Sequence, residues 1–148
     1  MEMGMRRTLE IEHDRVQAQC RRAEALLRSS IELNTVFLGP VRDELARMLV
    51  QHIHFKEAMI YGPLRKGAPV TRLSTIHQME VLCATLYADY QAHRAEWPEE
   101  RVTPEWADYR VATIELLERL DRAIQLERVH IYPLLKPVYP DGQGAQAA

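Results

Sequence analysis

Residues 49–64 read LVQHIHFKEAMIYGPL, and residues 120–135, which follow 71 positions later, read LDRAIQLERVHIYPLL. At two inward-facing positions the segments differ, since His52 corresponds to Ala123 and Lys56 corresponds to Glu127. A histidine followed four residues later by a carboxylate places two potential metal ligands on one face of a helix. Each segment keeps only half of that pair, which indicates a partly dismantled metal site. The positions that coincide are Leu49/Leu120, Ile53/Ile124, Ile60/Ile131, Tyr61/Tyr132 and Leu64/Leu135.

Four stretches of the chain have apolar residues at helical spacing, and no stretch alternates convincingly like a strand. The spacing predicts helices near residues 8–28, 40–62, 72–95 and 104–134, with a loop at 64–70. Prolines at positions 40, 98 and 104 mark helix ends. The residues predicted to face inward are Leu9, His13, Val16, Cys20, Ala23 and Leu27 in the first helix; Val41, Leu45, Met48, His52, Lys56 and Met59 in the second; Leu73, His77, Val81, Ala84 and Ala88 or Tyr87 in the third; and Thr113, Leu116, Leu120, Ala123, Glu127, Ile131 and Leu134 in the fourth.

Four amphipathic helices joined by short to moderate loops predict an all-α fold, an antiparallel up-down four-helix bundle with a left-handed twist. A chain of 148 residues is enough for one domain with a single core. We expect residues 1–140 to form that bundle and residues 141–148 (DGQGAQAA) to be a disordered tail. Residues 29–38 are too apolar for a solvated linker, and they extend the first helix, cross the end of the bundle or contribute to a homodimer contact.

Composition excludes several classes of function. The formal net charge of −2, with no basic run, gives no electrostatic basis for binding nucleic acid. No window approaches the roughly 20 apolar residues of a membrane span, and the N-terminus lacks a secretory signal. Cys20 and Cys83 are predicted to be reduced core thiols of a cytoplasmic protein. Since no catalytic motif is present either, we expect a binding protein rather than an enzyme.

Three of the six histidines fall on predicted inward stripes, namely His13, His52 and His77, and the fourth helix adds Glu127. One histidine on an apolar face is more often a hydrogen-bonded core residue than a ligand. Three of them on three helices, together with a carboxylate, form the pattern by which a bundle core builds a metal site.

The chain resembles the hemerythrin-like domain, also called the HHE cation-binding domain, over about residues 8–137. The resemblance lies in EHDRVQAQCRRAEALL (12–27), IYGPL (60–64), TIHQMEVLCATL (75–86) and AIQLERVHIYPLL (123–135). It implies a four-helix bundle that holds a non-haem di-iron centre bridged by two carboxylates, in proteins that bind oxygen or that sense or store iron, oxygen or related small molecules. It also implies terminal ligand roles for His13, His52 and His77 and a bridging role for Glu127.

Two positions depart from the pattern of that family. Lys56 stands where the other bridging glutamate is expected, and Ala123 stands where the fourth helix would supply a histidine. An ammonium beside a metal ion opposes binding by roughly 4 kcal/mol per charge pair at about 4 Å in an effective dielectric of about 20. Lys56 can instead neutralise Glu127, which would otherwise be a buried unpaired charge. We therefore predict that their charged groups lie within about 4 Å of each other.

These features leave three interpretations open. The first is a hemerythrin-like bundle that has lost part of its di-iron site and acts in binding, sensing or interaction. The second is a non-haem iron protein that binds one metal ion, or oxygen, through His13, His52, His77 and Glu127. The third is a structural bundle with incidental histidines. The expected cofactor is therefore none or a single metal ion, most plausibly iron, and the expected partner is a metal ion or a small molecule.

Overall fold

The protein is mainly helical over residues 4–29 and 37–135, the ranges that the computed structural model describes. No strand occurs within them, so the all-α prediction is confirmed there. The predictions for the 141–148 tail and for most of the 29–38 segment fall outside the described residues. The elements are α1 (Met5–Arg28), α2 (Leu38–Lys56), a π-helical turn (Glu57–Tyr61), α3 (Gly62–Gly67), a 3₁₀ turn (Val70–Arg72), α4 (Leu73–Glu96), α5 (Glu99–Val102), α6 (Trp106–His130) and a second 3₁₀ turn (Tyr132–Leu134).

The four longest of these helices, α1, α2, α4 and α6, pack against one another. Helix α1 contacts α2 and α6, and α4 contacts α6. None of the described helices has the length and apolar character needed to cross a membrane. The predicted inward residues of α1 are all buried, as are those of α6 from Thr113 to Glu127 and Ile131 just beyond its end.

Two apolar clusters form the core, and a polar layer separates them. The larger cluster includes Val16, Leu49 and Ile124, and the smaller one includes Leu9, Ile60 and Ile131. Along the chain, each buried polar residue of the layer falls between a member of one cluster and a member of the other. These residues are His13 on α1, His52 and Lys56 on α2, and Glu127 on α6.

The π-helical turn after α2 changes which residues face the core. Its wider turn is closed by the N–H of Gly62, which donates to the carbonyl oxygen of Glu57. A Cβ atom on Gly62 would lie 2.8 Å from that oxygen, so the turn requires glycine there. Because the turn holds one extra residue, Ile60 and Tyr61 become buried while Met59 is 42% exposed. The prediction that Met59 faces inward is therefore wrong.

The helical path continues past Pro63, where the sequence predicted a loop at 64–70. Helix α3 extends to Gly67, with Pro63 in its first turn. Proline has no backbone N–H, so Pro63 donates no helical hydrogen bond at this position, directly after the π-helical turn. In the second segment of the near-repeat Pro133 follows Tyr132 directly, and α6 ends at His130.

Helix α4 has the predicted bounds to within one residue but a different buried face. Val81 is 50% exposed, and Leu73 and His77 are exposed as well. Apolar residues occur on several sides of this helix, so spacing alone does not identify its inward face. One residue corresponds to a rotation of about 100°, and the true face is displaced by about that amount. Its buried residues are Ile76, Met79, Cys83, Leu86 and Tyr90.

Candidate metal and ligand site

A buried ion pair lies at the centre of the polar layer. Lys56 Nζ lies 3.0 Å from Glu127 Oε1, and the two residues are 5% and 1% exposed. The predicted distance of 4 Å or less is therefore confirmed. The two residues occupy corresponding positions of the near-repeat, one on α2 and one on α6.

Both oxygens of the Glu127 carboxylate accept hydrogen bonds. Oε1 accepts from Lys56 and lies 3.2 Å from His13 Nε2, while Oε2 accepts from the hydroxyl of Tyr61 at 2.6 Å. Burial by itself would raise the pKa of Glu127, but the charge of Lys56 and the hydrogen bonds from His13 and Tyr61 hold that pKa well below its ordinary value. Glu127 is therefore ionised at neutral pH.

Lys56 is held in its charged form by the same contacts. Burial would lower the pKa of its amino group, yet the charge of Glu127 raises that pKa above the ordinary value. A second hydrogen bond runs from Lys56 Nζ to the sulfur of Cys83, 3.3 Å away on α4. The site thus contains one positive and one negative charge that neutralise each other.

His13 links the ion pair to the second tyrosine. The ionised carboxylate can only accept, so His13 Nε2 carries a proton and donates to Glu127. In a neutral ring Nδ1 is then the acceptor, and the hydroxyl of Tyr132 donates to it at 2.5 Å. The two rings stack with their centroids 5.6 Å apart. Every polar atom of the His13 ring is therefore engaged.

His52 differs, because neither of its ring nitrogens has a hydrogen-bond partner among the described residues. Glu12 Oε2 lies 3.6 Å from Nδ1, which is longer than a hydrogen bond. Burial lowers the pKa of His52 to about 4 against the opposing pull of Glu12, and the charge of Lys56 lowers it further. A buried, neutral imidazole with free nitrogens remains at the edge of the ion pair.

A small cavity adjoins this imidazole. Its volume is about 30 Å³. Ala123 lines it where the near-repeat would place a histidine. The lining residues whose side chains carry polar atoms are His52, Lys56, Cys83, Tyr87, Tyr90 and Glu127.

The structure brings three of the four predicted ligand residues together. Single donor atoms of His13, His52 and Glu127 all lie within 4.8 Å of one another, so this buried group could hold one metal ion. Metal binding would hold these donor atoms no more than about 4.2 Å apart, the widest separation of two ligands on one zinc or iron ion. It also requires Lys56 to leave Glu127 Oε1, where it now donates.

The fourth predicted ligand, His77, is not part of this group. It lies on the exposed face of α4, and the prediction that it faces inward is wrong. Cys83 is the α4 residue that contacts the polar layer. Both cysteines are free and buried, as predicted for core thiols.

Sequence reasoning missed three side chains of the site: Tyr61, Tyr132 and Cys83. The tyrosines could have been found, because they are identical in the two segments of the near-repeat and directly follow the apolar positions Ile60 and Ile131. Cys83 had no such signal, since its inward direction depends on the rotation of α4.

Comparisons with protein-family models, with curated proteins and with solved structures give no significant match to this chain.

Proposed function

We propose that this chain is a hemerythrin-like antiparallel four-helix bundle that acts in ligand binding or sensing, with a buried ion pair in place of the di-iron centre. One observation carries the proposal, namely the 3.0 Å contact between Lys56 Nζ and Glu127 Oε1 inside the core. In the family that the sequence resembles, both of these positions would hold bridging carboxylates.

The ion pair makes the metal-free state stable by itself. Glu127 has three donors and Lys56 has two acceptors, so neither charge depends on a metal ion for compensation. Metal binding would separate the pair and leave the ammonium buried and unpaired. Breaking a buried pair in this way typically costs about 3–5 kcal/mol, which the metal would have to supply.

The free nitrogens of His52 support a binding role over a purely structural one. A buried polar group without a partner destabilises a protein by about 1–3 kcal/mol, so natural cores rarely keep one without a use. His52 borders a cavity, and a bound molecule there would complete its hydrogen bonds.

A second candidate function is the binding of a single metal ion, most plausibly iron. The convergence of His13, His52 and Glu127 favours it, since two nitrogens and a carboxylate suit non-haem iron or zinc. His77 would take no part, because it lies on the exposed face of α4.

Metal analysis separates the two candidates. Protein purified from iron-supplied cells should contain far less than one equivalent of iron and show no iron absorption band. Titration of the metal-free protein with Fe(II) or Zn(II) should give weak binding that strengthens in Lys56→Met, which removes the competing charge. The exposed Lys66 provides the matched control, Lys66→Met. One tightly held equivalent of iron in the unaltered protein would instead establish the single-metal function.

A further inference from the structure

The cavity beside His52 adjoins a wider groove that opens toward the surface between α2 and α4. The groove has a volume of about 320 Å³, whereas the inner cavity has a volume of about 30 Å³. Both are lined by the same four residues, which are Ile53, Lys56, Cys83 and Tyr87. The cavity and the groove therefore meet at these four side chains, beside the ion pair.

An ionic clasp lies at the mouth of this groove. Glu57 and Glu80 line the groove from the π-helical turn and from α4. Arg65 of α3 donates to both, at 2.6 Å to Glu80 Oε2 and in a shorter contact to Glu57 Oε1. Because all three side chains are at least partly exposed, this clasp can open at little cost.

Two residues that border the inner cavity have hydrogen-bonding groups without a partner among the described residues. His52 is 4% exposed, and its two nitrogens have no partner among the described residues. Lys56 Nζ carries three N–H donors, of which two have the partners Glu127 and Cys83. A molecule in the cavity therefore lies beside an imidazole and an ammonium with unused hydrogen-bonding capacity, within a mainly apolar wall.

The charges around the cavity select against ions. A bound anion would lie beside the Glu127 carboxylate, and a bound cation would lie beside the Lys56 ammonium. Since these two charges already neutralise each other at 3.0 Å, the dehydration of an added ion would have no net countercharge to offset it. A neutral molecule that both donates and accepts hydrogen bonds meets no such penalty.

The volume of the cavity limits the size of the molecule that it can bind. A water molecule needs roughly 10–15 Å³ of such space, so the inner cavity has room for two or three water-sized groups. We propose that the cavity formed by His52, Lys56 and Ala123 binds a neutral, hydrogen-bonding molecule of two or three non-hydrogen atoms, which enters between α2 and α4. This inference depends on the proposed binding function and names the ligand class.

Three probes of nearly equal shape and different charge test the inference: formamide, formate and formamidinium. Each is titrated into metal-free protein while the ring signals of His52 are followed by NMR. Formamide should shift them saturably, with a Kd of about 1 mM, the limit for a ligand of three non-hydrogen atoms. Formate and formamidinium should bind about tenfold more weakly or not at all, because each brings an uncompensated charge.

Variants locate the binding. Ala123→Leu fills the cavity without removing a polar group and should weaken formamide binding about tenfold or more. The matched control is Ala107→Leu, on the exposed face of α6. If Ala123→Leu does not fold, Ala123→Val provides the smaller change. In a second set, Arg65→Ala opens the clasp and should speed formamide exchange without changing the shifts at saturation.

Two results would overturn the inference. The absence of a saturable shift with formamide would mean that the cavity holds only water. Tighter binding of either ion would mean that the site selects for charge. Neither result bears on the Lys56–Glu127 pair in place of the metal, since that part of the proposed function is judged by metal content and by titration with Fe(II) and Zn(II).

Discussion

Tyr61 and Tyr132 occupy corresponding positions of the near-repeat, and their hydroxyls bind opposite members of one hydrogen-bonded pair. Tyr61 donates to Glu127 Oε2 at 2.6 Å, and Tyr132 lies 2.5 Å from Nδ1 of His13, whose Nε2 in turn contacts Glu127. The two segments thus meet around one carboxylate. Tyr61 follows Ile60 and Tyr132 follows Ile131, and both tyrosines close the polar layer at the side of the smaller apolar cluster.

We predict that Tyr61→Phe destabilises the protein more than Tyr132→Phe. A hydrogen bond to a charged group contributes about 1.5–3 kcal/mol, against about 0.5–1.5 kcal/mol for a neutral one. Tyr61 donates to a carboxylate, whereas Tyr132 donates to an imidazole. Urea unfolding of both variants measures the difference. Tyr87→Phe is the control, because the hydroxyl of Tyr87 accepts a hydrogen bond from the exposed side chain of Gln91, which carries no charge. Equal losses for Tyr61→Phe and Tyr132→Phe would contradict the assignment of charge to Glu127.

Much of this arrangement could be predicted from sequence because the near-repeat fixes corresponding positions on two helices. Once α2 and α6 are aligned through their shared apolar residues, Lys56 and Glu127 must lie at the same level, and the 3.0 Å contact follows. Helix α1 was equally clear, since its apolar residues form one narrow stripe and every member of it is buried.

The rest depended on features that apolar spacing does not encode. Helix α4 has apolar side chains on several sides, so packing against α6 rather than spacing decides that Cys83 faces inward and His77 outward. The π-helical turn is a second case. It follows from the close approach of Gly62 to the Glu57 carbonyl, a contact between atoms that the apolar pattern leaves undetermined.

Removal of the ammonium should destabilise the fold strongly. Lys56→Met leaves the Glu127 carboxylate buried without its countercharge, and the expected loss in the free energy of unfolding is about 3–5 kcal/mol. Lys66→Met, on the surface of α3, should change it by less than about 0.5 kcal/mol. Chemical denaturation measures both.

The double variant Lys56→Met/Glu127→Leu separates the cost of an unpaired charge from the value of the pair. Replacing both members of a buried ion pair by apolar residues is often neutral or stabilising, so the double variant should recover most of the stability that Lys56→Met loses. If the double variant were less stable than the single one, the pair itself would be contributing the stability.

Acid should destabilise the metal-free protein through His52. The pKa of His52 is about 4 in the folded protein and about 6.5 in the unfolded chain. Burial and the charge of Lys56 lower it, while Glu12 and Glu127 oppose the change. Because the folded value is the lower one, the unfolded state binds more protons between those values. The contribution of His52 is therefore complete above pH 6.5 and is lost as the pH falls toward 4.

The size of this effect follows from the two pKa values. At roughly 1.4 kcal/mol per pKa unit, His52 accounts for a loss of about 3 kcal/mol between neutral pH and pH 4. Urea unfolding at pH 7 and at pH 4.5 should show that His52→Leu loses less stability on acidification than the unaltered protein. His54→Leu, at an exposed position on the same helix, should behave like the unaltered protein. The low pKa of Glu127 adds a further loss at still lower pH, and His52→Leu retains it.

Restoring the missing ligands should convert the ion pair into an iron site. Lys56→Glu removes the competing charge and supplies the second carboxylate, and Ala123→His places an imidazole in the cavity that Ala123 now lines. This double variant should take up iron when expressed with iron, and it should develop the near-ultraviolet absorption of an oxo-bridged pair.

Because Cys83, not His77, is the α4 residue beside Lys56, adding Cys83→His should raise the iron content further. Adding His77→Ala instead should change nothing, and Lys66→Glu/Ala107→His, at exposed positions, serves as the surface control. An iron content that fell with His77→Ala, or that stayed at zero in the triple variant, would show that the layer of His13, His52 and Glu127 is not a displaced metal site.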